Sequence, residues 1–192
     1  MSCPKEALSS VFTEEDYNSN DGMLTTVWGP SMWHYLHTMS FNYPVNPTEK
    51  DKRVYRDFIL SLRNVLPCGK CRKNLTKNLN KLPLTMNHMK SRETFSKYIY
   101  DLHEFINTML KKKSGLSYEE VRNTYENFRA RCTKKAGTRQ HSKTKKSKKE
   151  SGCVKPLYGK KAKCVIQIVP QERKSPSFKV DKQCVKKLMP GV

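Results

Sequence analysis

The sequence predicts an all-α protein: a compact four-helix bundle with a short fifth helix, followed by a disordered basic tail. Three observations carry this expectation. Apolar residues recur at three- and four-residue spacing from Trp28 to Phe128, the period of one helix face. Nothing in that stretch alternates long enough to build a sheet. The pattern stops at Cys132, where lysine takes over.

The elements follow in order. Residues 1–26 are rich in Ser, Asn, Asp and Gly and are expected to form a flexible arm. Trp28, Met32, Trp33, Leu36 and Met39 mark the first helix, with Pro30 acceptable only in its first turn. Tyr43-Pro44 and Pro47-Thr48 break it, and Thr48 caps a second helix striped by Val54, Tyr55, Phe58, Ile59, Leu62, Val65 and Leu66. Pro67 interrupts that stripe. A third helix opens at Cys68–Cys71 and carries Leu75 and Leu79 to about Asn80. Ser91 caps a long fourth helix with Phe95, Ile99, Leu102, Phe105, Ile106, Met109 and Leu110 inward, followed by three lysines that suit its carboxyl end; Gly115 stops it. Ser117 and Glu120 form a capping box for a fifth helix carrying Val121, Tyr125 and Phe128. Short connections make neighbours antiparallel. The division is therefore 1–26 arm, 27–131 folded domain, 132–192 tail.

Charge is unevenly placed along the 192 residues. The formal net charge is +21; residues 132–192 hold 18 Lys/Arg against 3 Asp/Glu, and residues 1–131 hold 20 against 14. Residues 133–149 contain eight Lys/Arg and almost nothing apolar, so they are expected to be disordered. Such a segment attracts nucleic acid, anionic lipid or an acidic protein surface. The run Cys164 to Val169 could pair as a strand or fold on a partner. No apolar run approaches the roughly 20 residues of a membrane span. The amino terminus lacks a signal-peptide core, and seven cysteines do not suggest a secreted disulfide scaffold, so a non-secretory setting is expected.

The chemistry concentrates at Pro67-Cys68-Gly69-Lys70-Cys71. Two cysteines with two residues between them are a redox pair or half of a metal site. A cysteine in a first helical turn meets unsatisfied N–H groups and the positive end of the helix dipole, which favour its thiolate; Lys70 and Arg72 add charge. Two further polar pairs sit on inward faces: Trp33 with His37, and His103 with Asn107. Together with the dithiol they point to a shared buried cofactor or ligand site. Zinc held by Cys68, Cys71 and histidines stays open as the alternative, in a basic nucleic-acid or virion-core binding protein. The spacing of Cys71 to His88 and His103 matches no compact finger pattern.

Gly29, Trp33, His37, Thr38, Tyr43-Pro44, Pro47-Thr48, the Pro67–Cys71 motif, and then His103, Asn107, Leu110 and Lys112 resemble the Erv/ALR family of FAD-linked sulfhydryl oxidases. The resemblance spans residues 28 to about 131 and is closest in character to members encoded by large DNA viruses. It implies a helical bundle, usually a homodimer, that binds FAD noncovalently and needs no metal. Trp33, His37, Tyr43, His103, Asn107 and Lys112 would contact the cofactor. Cys71 would be the thiolate nearest the flavin, and Cys68 would exchange disulfides with thiol-containing protein substrates. A viral setting in host cytoplasm or virion follows from the same resemblance. Two departures stand out. Glu104 occupies a place where the family commonly has Asn, and is expected to turn outward because a buried carboxylate is costly. Ser117 replaces the first cysteine of a structural disulfide found in cellular members, leaving Cys132 without that partner. In the tail, Cys153 and Cys164 could close a loop and act as a shuttle pair, but a charge-driven binding role is the expected one.

Overall fold

The computed structural model describes residues 13–132, 153–170 and 172–185. Its elements are α1 (Glu14–Tyr17), α2 (Thr25–Phe41), α3 (Glu49–Val65), α4 (Gly69–Lys81), α5 (Arg92–Met109) and α6 (Tyr118–Glu126), with a 3₁₀ turn at Lys182–Cys184. The described residues hold no strand, only an isolated bridge between Ala130 and Pro156. The expected helical bundle is therefore present.

Local chemistry sets most helix starts. Thr48 with Asp51, Ser91 with Thr94, and Ser117 with Glu120 each form a reciprocal cap that satisfies backbone donors left over at the first turn. The arm departs from expectation. Thr13 and Asp16 form the same cap, and three acidic residues in one turn suit the dipole of α1. The next helix starts at Thr25 rather than Trp28, which places Pro30 beyond the first turn. The Thr26 carbonyl that a residue-30 N–H would have bonded belongs to an exposed residue, so water can satisfy it.

The end of α5 also differs. The helix stops at Met109, well before Gly115. Lys111 takes a positive φ of 56°, its N–H bonds the Thr108 carbonyl at 3.0 Å, and the Lys112 N–H bonds the Asn107 carbonyl at 2.8 Å. This is the Schellman closure with lysine in the glycine place. It leaves Met109 and Leu110 exposed beyond the core rather than inside the stripe.

The core sits where α2 crosses α5 and α3 lies on α4, with α6 against α2. Leu36, Ile59, Leu75, Phe95, Ile99 and Leu102 meet there. Two buried tyrosines pin connections to it: the Tyr43 hydroxyl donates to the Met89 carbonyl at 2.9 Å, and Tyr98 to the Leu82 carbonyl at 2.8 Å. Val54 and Val65, expected inside, are exposed because α3 is covered mainly by α4 along one side.

The described part of the tail has little regular structure, as expected, yet it is fastened to the bundle. The Arg131 N–H donates to the Lys155 carbonyl and the Leu157 N–H to the Arg129 carbonyl, both at 2.7 Å. Cys132 is disulfide-bonded to Cys153, so the suggested Cys153–Cys164 pair is not formed and Cys164 is a free, exposed thiol. The bridge at Ala130–Pro156 brings those chains side by side, which makes Cys132 the near partner. Phe178 lies against His34, Tyr125 and Phe128. Among the described residues the run 164–169 pairs with no strand, and Val165, Ile166 and Ile168 are exposed. Residues 133–149, expected to be disordered, lie outside the described residues, as does Cys3.

Candidate functional site

Cys68 and Cys71 form a disulfide at the start of α4. Pro67 ends the preceding segment, Cys68 takes extended backbone as the helix cap, and its sulfur accepts the Cys71 N–H at 3.1 Å. Helix-start donation therefore reaches Cys68 rather than Cys71, a correction to the sequence argument. Arg72 does not stand free beside the pair either: its guanidinium donates to the Leu66 carbonyl, capping the end of α3. Both cysteines are half-buried.

The amino-terminal chain crosses this motif, which sequence reasoning did not foresee. The Met23 N–H donates to the Pro67 carbonyl at 2.8 Å, and the Trp28 indole N–H to the Met23 carbonyl at 3.0 Å. A Cβ on Gly22 would stand 2.9 Å from the Pro67 oxygen and 3.1 Å from the Cys68 Cα, so only glycine fits there unshifted. Thr25, in the first turn of α2, puts its hydroxyl 3.7 Å from the Cys71 sulfur.

Thr25, Gly29, Trp33 and His37 follow at four-residue steps and share one face of α2. Gly29 keeps that face open: only the Thr25 methyl carbon, at 3.7 Å, lies near where its Cβ would be. At the far end Trp33 stacks on His103 with centroids 3.9 Å apart, and His37 Nε2 shares a 3.0 Å hydrogen bond with His103 Nδ1. Tyr125 of α6 stacks on His37 with centroids 5.2 Å apart. Its place on the predicted apolar stripe was the available signal. Burial holds both imidazoles neutral, pushing His37 to about 3, helped by the nearby His103 and His34, and His103 to about 4. His37 Nδ1 is buried with no partner among the described residues, an unusual state for a polar atom.

The remaining predicted residues divide. Asn107 lies one turn beyond His103, donates to Glu104 Oε1 at 2.9 Å, and is tied to Lys112 through the α5 closure. Glu104 is thus half-buried against Asn107 rather than turned fully outward. Tyr43 is different. It is wholly buried, its hydroxyl is used by Met89, and its ring packs on Tyr55 and Phe95, so it is not brought to the histidine cluster. His88, a candidate metal ligand, accepts the Thr85 N–H through Nδ1 at 3.1 Å and packs on Tyr98. Among the described residues no three His, Cys, Asp or Glu side chains converge as a metal set.

These observations fit the flavin implied by the resemblance. A flat aromatic pair, an open glycine and an unpartnered imidazole nitrogen lie along α2, and the first turn of the same helix reaches the disulfide through Thr25. Among the described residues no helix is long and apolar enough to cross a membrane.

A family model described as the Erv1 / Alr family matches residues 30–129. Over 94 residues the chain is 46% identical to a probable FAD-linked sulfhydryl oxidase of Acanthamoeba polyphaga mimivirus, covering 49% of this chain and 65% of that protein. It is 34% identical over 99 residues to an FAD-linked sulfhydryl oxidase of African swine fever virus, covering 52% of this chain and 80% of that one. A mitochondrial FAD-linked sulfhydryl oxidase of Saccharomyces cerevisiae is 27% identical over 84 residues, which cover 44% of this chain and 43% of the yeast protein.

Proposed function

This chain belongs to the Erv1/Alr family of FAD-linked sulfhydryl oxidases, and on that premise we propose that it forms disulfides in thiol-containing proteins through Cys68 and Cys71. What supports the reading is the Cys68–Cys71 disulfide met by Thr25 at the start of α2, the helix that also carries Trp33 and His37 of the histidine cluster. The division into arm 1–26, oxidase domain 27–131 and tail 132–192 belongs to the same reading.

A substrate thiolate attacks the Cys68 sulfur; the new S–S bond forms as the Cys68–Cys71 bond breaks, and Cys71 leaves as thiolate. A second substrate thiolate attacks its partner sulfur in the mixed disulfide, releasing oxidised substrate and Cys68. The enzyme pair now holds two electrons. The amide N–H of Cys71 stabilises negative charge on Cys68 as that sulfur is released. When bound among these residues, FAD would supply the two-electron acceptor for the reduced Cys68–Cys71 pair, with oxygen and two protons giving hydrogen peroxide as the final product. Trp33, His37 and His103 would form its aromatic seat, with the free His37 Nδ1 available to a polar ring atom. Neutral imidazoles suit an uncharged ring system. Asn107 and Lys112 would meet more polar parts of the cofactor, Lys112 offering its ammonium to phosphate. Tyr43, the remaining motif residue, holds the start of α5, since its carbonyl accepts from Arg92 at 2.7 Å.

A homodimer is part of the reading. Exposed Tyr35 and Val54, with Phe58 against Tyr35, leave an apolar surface on α2 and α3 that a second copy would cover. The basic tail supports binding to nucleic acid or another polyanion. The mimivirus and African swine fever virus relatives support a viral protein working in host cytoplasm or virion.

The test is direct. The purified chain is expected to be yellow, with a flavin spectrum, and to consume oxygen with dithiothreitol. Cys68→Ser and Cys71→Ser should each abolish oxygen consumption while retaining the flavin. Wild-type rates in both variants would sink the assignment.

A further inference from the structure

The α4 amide donates to Cys68, which leaves open what stabilises charge on Cys71. The neighbour supplied by the fold is Thr25 of α2, with its hydroxyl oxygen 3.7 Å from the Cys71 sulfur, within hydrogen-bond range for sulfur. Because Cys71 is in a disulfide here, its sulfur carries no proton, and the hydroxyl is the donor. We infer that Thr25 is a further catalytic residue, whose hydroxyl stabilises the Cys71 thiolate each time the Cys68–Cys71 bond opens.

Independent contacts build this approach. The chain at residues 22–28 is fastened across the motif by Met23 on Pro67 and by the Trp28 indole on Met23. Gly22 lets the two backbones close, since any Cβ there would meet Pro67 and Cys68 main-chain atoms. Thr25 is thereby delivered from 46 residues away to one sulfur of the pair.

The chemical effect follows from how the charge changes. In the disulfide, Cys71 sulfur is a neutral, weak acceptor. When a thiolate attacks Cys68, the electron pair of the breaking S–S bond moves onto Cys71, and the hydroxyl then donates to an anion, a stronger bond. The reduced state is favoured over the disulfide, and Cys71 becomes a better leaving group because its thiol is more acidic. No proton leaves Thr25. The two sulfurs are thus served by different donors, Cys68 by a backbone amide and Cys71 by a side chain that mutation can remove.

This inference rests on the reading of Cys68 and Cys71 as the redox pair, and its test separates the two. Full-length protein with its bound flavin, carrying Cys68→Ser so that Cys71 is the motif's remaining thiol, is alkylated with iodoacetamide across a pH series. The Cys71 peptide is quantified by mass spectrometry. Adding Thr25→Val should raise the apparent pKa of Cys71 and slow its alkylation near neutrality roughly three- to tenfold, as expected for a partly exposed charge-assisted bond. Thr25→Ser should restore the rate to within about twofold, because it keeps the hydroxyl. A Thr25→Val profile superimposed on that of the parent overturns the inference. So does a Thr25→Ser variant as slow as Thr25→Val, which would mean lost packing. Failure of the functional reading would appear elsewhere, as oxygen consumption retained by Cys68→Ser and Cys71→Ser alone. The alkylation rate reports the Thr25–Cys71 contact in either case.

Discussion

Acidification should destabilise this bundle through two histidines. His37 and His103 share a hydrogen bond and are held by burial at about 3 and about 4, against an ordinary value of 6.5. The unfolded chain binds a proton at each imidazole below its ordinary value, while the folded chain does not until the pH reaches the depressed values. Protonation linkage therefore adds no penalty well above 6.5, and stability is lost as the pH falls from 6.5 toward 4. Between about pH 7.5 and about pH 5 each group contributes a loss of about 2 kcal/mol, about 4 kcal/mol together as an upper limit. That is a large part of the roughly 5–15 kcal/mol typical of a domain. The carboxylates held low by their partners, such as Glu126 beside Arg129, titrate below this window and do not contribute to it. Urea unfolding followed by circular dichroism at the two pH values measures the loss directly. In melting temperature it corresponds to a drop of roughly 8–16 °C for a chain of this size. The double variant His37→Gln, His103→Gln should lose most of the wild-type pH dependence, the remainder coming from His34, which burial also holds below its ordinary value. An equal slope in the double variant, or constant wild-type stability between the two pH values, would refute the neutral buried pair.

Two other perturbations test the parts that hold the site and tail in place. Gly22→Ala should lower stability by about 1–3 kcal/mol, the usual cost of forcing atoms into a packed place. It should also slow disulfide exchange at Cys68, read with a reduced substrate under single turnover, because a crossing chain lifted from Pro67 and Cys68 carries Thr25 away from the departing Cys71 sulfur; an unchanged melting temperature would contradict the packing of Gly22. Cys153→Ser opens the Cys132–Cys153 link, which spans 21 residues. Guanidinium unfolding without reductant should show a loss of about 3 kcal/mol from restored chain entropy, and a Cys164→Ser control should show none, since that thiol is free.

Much of the architecture was legible because it depends on neighbours in the chain. Capping residues at Thr48, Ser91 and Ser117, the three-four spacing of Leu75 and Leu79, and Pro67 before the cysteines act within a turn or two. Their effects appear where the sequence places them. The pairs Trp33–His37 and His103–Asn107 announced inward polar groups for the same reason. Their company with the dithiol pointed to one shared site, but which rings touch was not visible in their spacing; the crossing of α2 over α5 supplies the contact. Other features had no local sign. Thr25 looks like any polar residue of an arm, and becomes a neighbour of Cys71 only because Met23 and Gly22 are seated on Pro67 and Cys68. That the Tyr43 hydroxyl would be taken by the Met89 carbonyl, 46 residues away, had no local sign either. Cys132 found Cys153 because the Ala130–Pro156 bridge sets those backbones side by side. Helix starts and stripes are encoded within a few residues. Which sulfur meets which hydroxyl depends on segments tens of residues apart, and only their packing decides it.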